Sequence, residues 1–141
     1  MKRDLERFVA AQESIYPEVL RELRRGRKTG HWMWFIFPQI RGLGRSETAR
    51  FYAIASGDEA VTYLDHPLLG ARLRECTALV NDITGRSLEE IFGSVDALKF
   101  RSCMTLFARA TTDNAVFRSA LDRYCGGLPD EATIKLLEQR T

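Results

Sequence analysis

The sequence predicts an all-α fold: a compact single domain over residues 1–141, built from about eight short helices around an aromatic central segment. Three observations predict it. Apolar residues recur at three- and four-residue spacing along most of the chain, residues that favour helix N-caps precede most of these runs, and alternation with a period of two is limited to one aromatic stretch. With 141 residues, of which 45% are hydrophobic, the chain can bury a stable core without disulfides or a structural metal.

The first helical pattern ends at Gly26 and is divided by a proline. Apolar residues from Leu5 to Leu23 keep helical spacing, and Gly26 stands where a C-terminal cap is expected. Pro17 fits the first turn of a helix but not its interior, so we expect two short helices in this region rather than one.

Capping residues mark the later helices. Serine or aspartate precedes each run of helical apolar spacing, at Ser46, Ser56, Ser87, Ser94, Asp113 and Asp130. Glu90 stands three residues after Ser87 and completes a capping box. Pro67 is expected at the first position of the next helix, with Asp65 or His66 before it, and this helix has a regular apolar face. We interpret His66 as a capping or turn residue.

The stretch GRKTGHWMWFIFPQIRGLG, residues 26–44, is the most unusual part of the chain. Its apolar and aromatic residues from Trp32 to Phe37 follow one another without interruption, so they cannot all face one core from a surface helix. They form either a buried centre alone or both core and the wall of a binding site. We expect an irregular or helical segment, with one of Trp32 and Trp34 in the core and the other beside a cavity.

Polar residues frame the aromatic run. Lys28 and His31 precede it, and Gln39 and Arg41 follow it. Aromatic walls with a few converging polar groups are the usual composition of a small-molecule pocket. Such a pocket needs matching groups from a second element.

The predicted helix over residues 94–109 supplies those groups. Asp96, Lys99 and Ser102 follow one another at a spacing of three, which places them on one face. They form either a surface ion pair with a packing serine beside it, or part of a pocket in which lysine receives an anion. The candidate ligand-binding residues are Lys28, His31, Trp32, Trp34, Gln39, Lys99 and Ser102.

The first candidate function is therefore the binding, with or without hydrolysis, of a small anionic or nucleotide-derived ligand between the 28–41 segment and the 94–109 helix. His31 is then the best candidate for acid–base chemistry and should lie close enough to Lys99 to contact the same ligand. No catalytic residue is assigned, because the sequence carries no G-x-S-x-G, phosphate-binding loop, H-E-x-x-H or dinucleotide motif.

Two alternatives come from other functional classes. A protein-interaction module would use an exposed aromatic patch, and joint exposure of Trp32 and Trp34 would favour it. A nucleic-acid-binding adaptor would use the basic run from Arg21 to Lys28, but the net charge of +2 does not favour it and such runs also suit helix ends.

The cysteine pattern and the hydropathy of the sequence indicate the cellular compartment of the protein. Cys76, Cys103 and Cys125 are odd in number and widely spaced, so we expect free thiols, no bound metal and no cofactor. The first residues lack the apolar stretch of a signal peptide, and no segment is long enough for a membrane helix. These features predict a cytoplasmic protein without membrane contact.

A family resemblance covers nearly the whole chain. The stretch FVAAQESIYPEVLRELRRGRKTGHWMWFIFPQIRGLGRSETARFYAI, residues 8–54, together with EAVTYLDHPLLGARL, IFGSVDALKFRSCMTLF and DEATIKLL, resembles the domain-of-unknown-function family numbered 1810. The resemblance implies a small, bacterial, mainly α-helical protein with no established biochemical role and no accepted catalytic residues. Some members carry the automatic label calpastatin, but calpastatin-type inhibitors are disordered chains, whereas this composition is that of a folded domain.

Overall fold

The structure, a computed structural model, describes residues 5–139. Ten α-helices lie in this range: α1 Glu6–Gln12, α2 Tyr16–Arg25, α3 Met33–Ile36, α4 Glu47–Phe51, α5 Gly57–Asp65, α6 Leu69–Asn81, α7 Leu88–Phe92, α8 Ser94–Ala110, α9 Ala115–Cys125 and α10 Glu131–Gln139. The all-α prediction is confirmed. The described residues contain ten helices rather than about eight. The number is higher partly because the aromatic segment itself forms a short helix, the single turn α3.

Side-chain caps begin several helices where the sequence predicts them. The hydroxyls of Ser46, Ser56 and Ser87 each accept a hydrogen bond from the backbone N–H three residues later, at 3.1, 3.3 and 3.1 Å. Asp130 caps α10 in the same way at 3.0 Å. The Nδ1 atom of His66 accepts from the N–H groups two and three residues later, so His66 caps the approach to α6 as interpreted.

Three helix starts differ from the prediction by one or two residues. Helix α6 begins at Leu69 rather than at Pro67, because His66 accepts hydrogen bonds from the N–H groups of Leu68 and Leu69 in a turn before the helix.

The N-cap of α8 is Gly93, not Ser94, because Gly93 at φ +85° ends α7 and leads directly into the next helix. The N-cap of α9 is Asn114 rather than Asp113. The Asn114 side chain donates to the carbonyl oxygen of Ala108 at 2.8 Å, so it joins the two helices instead of capping one.

Helix α8 forms the centre of the molecule. It packs against α5, α7, α9 and α10 and buries residues on most of its circumference. Near its start, the ring of Phe100 contacts Phe37 at 5.0 Å and Phe92 at 5.1 Å between ring centroids. The aromatic segment is thus fixed against the first turns of α8, and an isolated parallel bridge between Ile40 and Ile54 holds its far end.

None of the helices within residues 5–139 combines the length and the apolar character that crossing a membrane requires.

The three thiols should differ in reactivity. Cys76 and Cys103 are buried and Cys125 is half-buried. Burial raises the pKa of Cys76 to about 12 and also raises the pKa of Cys103 and Cys125. Because the thiolate is the reactive form, we expect slow labelling of the native protein at neutral pH, with Cys125 first, and three reactive thiols after unfolding without reductant. Fewer than three would indicate a disulfide and contradict the prediction.

Candidate functional site

Two lysines share one carboxylate where the loop after α2 meets the first turns of α8. The Nζ atom of Lys28 lies 2.8 Å from Oδ2 of Asp96, and Nζ of Lys99 lies 3.1 Å from Oδ1 of the same residue. The side chains of Lys28, Asp96 and Lys99 are 8%, 18% and 20% exposed, so water screens these charges only in part. We call these three residues the lysine cluster.

Asp96 is ionised at neutral pH. Burial alone would raise its pKa, but the hydrogen bonds and charges of Lys28 and Lys99 outweigh that effect and lower the pKa below the ordinary range. The cluster therefore holds two positive charges and one negative charge.

A buried glutamate holds the loop that carries Lys28. The Glu22 residue is 1% exposed, and its Oε1 atom accepts three hydrogen bonds: from the N–H groups of Thr29 and Gly30 at 2.7 and 2.9 Å, and from the indole N–H of Trp32 at 3.0 Å. Burial alone would raise the pKa of Glu22, but these donors lower it, so the carboxylate is charged at neutral pH. One side chain thus sets the path of the whole loop.

Further bonds fix Lys28 itself. Its backbone N–H donates to the carbonyl oxygen of Ile91 at 2.8 Å, and its ammonium group donates to the carbonyl oxygen of Gly30 at 2.5 Å. Gly30 must be glycine at this point, because an added Cβ would lie 2.8 Å from Cδ1 of Trp32. The loop is therefore built to present the Lys28 ammonium toward α8.

The two tryptophans occupy different environments. Trp32 is 1% exposed and belongs to the core, while Trp34 is half-buried, with Nζ of Lys99 4.6 Å from its ring centroid. Trp32 is thus the core ring of the two, and a cavity beside Trp34 stays a prediction. An interaction patch formed by both rings does not exist, since Trp32 is covered.

The other candidate residues have different surroundings. His31 is exposed, and among the described residues it has no hydrogen-bond or ion-pair partner. Gln39 is half-buried, and its backbone carbonyl oxygen accepts from the N–H of Ile54 at 2.8 Å. Ser102 is 5% exposed and donates to the carbonyl oxygen of Leu98 in its own helix at 3.0 Å. Lys28 thus shares Asp96 with Lys99. That His31 lies close enough to Lys99 to contact the same ligand stays a prediction.

Sequence reasoning missed the part that Glu22 plays. A glutamate in a helix with several arginines resembles a solvated surface residue. Its position gave one usable signal, because Glu22 lies three residues after Val19 and directly before Leu23, both of which are fully buried. A carboxylate on the apolar face of a helix needs donors from another element.

The surface of residues 5–139 includes five clefts, and none of the candidate ligand-binding residues lines any of them. One has a volume of about 540 Å³ and is lined by Arg41, Gly42, Gly44, Arg45 and Arg50. The lysine cluster lies outside all five, as a partly exposed group at the surface. A pocket between the 28–41 segment and the 94–109 helix stays a prediction.

Acid should destabilise the protein through two carboxylates. The pKa values of Glu22 and Asp96 are lowered in the folded state, so the unfolded chain binds more protons at acid pH. Their stabilising contribution is complete above about pH 5 and is lost as the pH falls through the folded pKa values. We expect the free energy of unfolding in urea to fall below about pH 5, and to fall less steeply in Glu22→Gln. Parallel curves for the two proteins would contradict the assignment to Glu22.

Comparison with known proteins agrees with the sequence resemblance. A family model described as a protein of unknown function, DUF1810, matches residues 2–137. The solved structure of the conserved hypothetical protein Rv1873 from Mycobacterium tuberculosis is similar, with a TM-score of 0.95, 58% sequence identity and coverage of 96% of each chain. The chain has no significant match among curated proteins. Because the family model extends over almost the whole sequence, the chain belongs to the DUF1810 family.

Proposed function

We propose that this protein binds a small anionic ligand at the lysine cluster, beside the half-exposed ring of Trp34. One observation carries the proposal: two largely covered ammonium groups share a single carboxylate. The three residues of the cluster have an excess of one positive charge. Asp96 and the Gly30 carbonyl use two of the three N–H donors of Lys28, and Asp96 uses one of the three of Lys99, so each ammonium group keeps at least one donor. A carboxylate or phosphate group of a ligand would use those donors and balance the charge.

Preorganisation supports binding. Glu22, Gly30 and Ile91 fix the loop that carries Lys28, and α8 fixes Asp96 and Lys99. A ligand therefore does not have to order the loop, which lowers the entropic cost of binding. Charge-assisted hydrogen bonds are also stronger where the lysines are shielded from water.

The anionic part of the ligand has the stronger support. The Lys99 ammonium already lies over the Trp34 ring. A nucleobase could therefore stack only on the part of the ring that Lys99 does not cover. Neither Ser102 nor Cys103 supports hydrolysis, since the Ser102 hydroxyl is bonded within its own helix and burial raises the pKa of the Cys103 thiol. We therefore propose binding of a carboxylate or phosphate compound and assign no catalytic residue.

We also propose a reducing, cytoplasmic location. Its support is the set of three unpaired cysteines, of which Cys76 and Cys103 are buried. The thiol titration described above tests it.

Tryptophan fluorescence gives a direct test, because the chain has two tryptophans and one of them adjoins the lysine cluster. Citrate, inorganic phosphate and adenosine monophosphate serve as probes. We expect at least one of them to change the emission saturably, and Lys99→Gln to weaken that binding by about tenfold or more. The matched control is Lys135→Gln, at an exposed lysine of α10, which should bind like the wild type.

In the competing interpretation, the lysine cluster binds no ligand and only attaches the loop after α2 to α8. This interpretation predicts that no probe gives a saturable response, or that Lys99→Gln and Lys135→Gln bind equally well. Either result would refute the proposed function.

A further inference from the structure

We propose a second and independent binding site, for a small molecule that carries a phosphate or diphosphate group, in the cleft lined by Arg41, Arg45 and Arg50. The lining residues are these three arginines with Gly42 and Gly44, and the cleft has a volume of about 540 Å³. That volume lies within the usual range of small-molecule sites. We call this site the arginine cleft.

The backbone beneath the arginine cleft is anchored in the core. The N–H of Arg41 donates to the carbonyl oxygen of Ile54 at 2.8 Å, and the N–H of Ile54 donates to the carbonyl oxygen of Gln39 at 2.8 Å. Ile40 and Ile54 are 1% and 0% exposed, and Leu43 packs against the core cluster from the loop itself. The loop therefore holds a defined position from which its arginines project.

The glycines of the loop allow its close approach to α4. Gly42 has φ +111°, which favours glycine. A Cβ on Gly44 would lie 2.4 Å from Cβ of Ala49, so no other residue fits there without movement of the helix. This contact brings Arg45 on the loop and Arg50 on the helix to the same cleft.

The charge of the arginine cleft has one sign. All of its charged lining residues are arginines, and within residues 5–139 neither Arg45 nor Arg50 forms an ion pair, although Glu47 lies three residues before Arg50 on the same helix. A cleft lined by charge of one sign concentrates ions of the opposite sign.

Arginine selects the chemical class of the ligand. The guanidinium group is planar, always charged and matched to the oxygens of phosphate, to which it can donate two parallel hydrogen bonds. The guanidinium groups of Arg45 and Arg50, both at this cleft, suit an anion with more than one negative charge. A phosphate or diphosphate group meets that requirement better than a single carboxylate does.

The test is a titration of ¹⁵N-labelled protein with inorganic pyrophosphate, followed by NMR. We expect saturable shifts of the backbone amide signals of Gly42, Gly44 and Arg45, and weaker binding as the salt concentration rises. Arg45→Gln and Arg50→Gln should each weaken pyrophosphate binding by about tenfold or more, because each removes a charge-assisted contact. Both side chains are exposed, so these variants are expected to fold.

Two controls separate this site from general electrostatics and from the lysine cluster. Arg86→Gln, at an exposed arginine outside the cleft, should leave pyrophosphate affinity unchanged, and so should Lys99→Gln. Equal losses in Arg86→Gln and Arg45→Gln, or no saturable shifts in the wild type, would overturn the proposal. It would also be overturned if a short single-stranded oligonucleotide bound there while pyrophosphate did not, since the phosphate source would then be a nucleic-acid backbone.

Discussion

Replacing Trp32 with alanine should lower the free energy of unfolding by about 3–5 kcal/mol, measured by urea denaturation. The ring is 1% exposed and lies 6.3 Å from Phe37 between ring centroids, so the substitution leaves a cavity in the core. It also removes the indole N–H that donates to the buried Glu22 carboxylate at 3.0 Å. Both losses act on the same loop, which makes this the most destabilising of the predicted changes.

Trp34→Ala is the matched control, because it removes the same side chain two residues away. Trp34 is half-buried, and Lys99 covers part of its ring, so we expect less than half the stability loss of Trp32→Ala. The anion-dependent change in fluorescence should disappear with it. Equal stability losses at the two positions would show that the segment is core throughout and would remove Trp34 from the proposed site.

Glu22→Ala should cost about 2–4 kcal/mol of unfolding free energy. Three donors lose their acceptor, and one of them, the indole N–H of Trp32, is buried. An unpaired buried donor costs more than an ordinary hydrogen bond contributes, because water no longer solvates it. Chemical denaturation measures the loss, and the amide signals of Thr29 and Gly30 should show increased hydrogen exchange.

Two further variants separate this effect from a general loss of charge. Glu13→Ala changes an exposed glutamate between α1 and α2, and its effect should stay within about 0.5 kcal/mol. Glu22→Gln keeps an acceptor oxygen but loses the charge, so its cost should lie between those of the two alanine variants. If Glu22→Ala is no more harmful than Glu13→Ala, the carboxylate does not hold the loop.

Local signals account for the parts of the fold that the sequence predicted. Ser46, Ser56 and Ser87 cap helices through atoms within three residues of themselves, and His66 caps through its nearest neighbours. These interactions depend on short stretches of chain, which a sequence pattern represents directly. The single turn α3 was less predictable, because its helical form depends on packing against α1, α6 and the core rather than on capping residues.

Long-range contacts account for what was missed. Asp96 and Lys99 are one helical turn apart, and their pairing follows from spacing alone. Lys28 reaches Asp96 only because Glu22 and Ile91 set the loop path, and no spacing rule connects these positions. His31, which the sequence favoured as the second group at the site, is exposed, and its proximity to Lys99 stays a prediction.

The most direct measurement of the central claim is a titration of ¹⁵N-labelled protein with citrate, phosphate and adenosine monophosphate, followed through the two indole N–H signals and the loop amides. Binding at the lysine cluster predicts a saturable shift of the Trp34 indole signal and of the Gly30 amide, a smaller change at the buried Trp32 indole, and loss of these shifts in Lys99→Gln. If every probe leaves the Trp34 and Gly30 signals in place, or shifts them equally in Lys99→Gln, the lysine cluster is not an anion site.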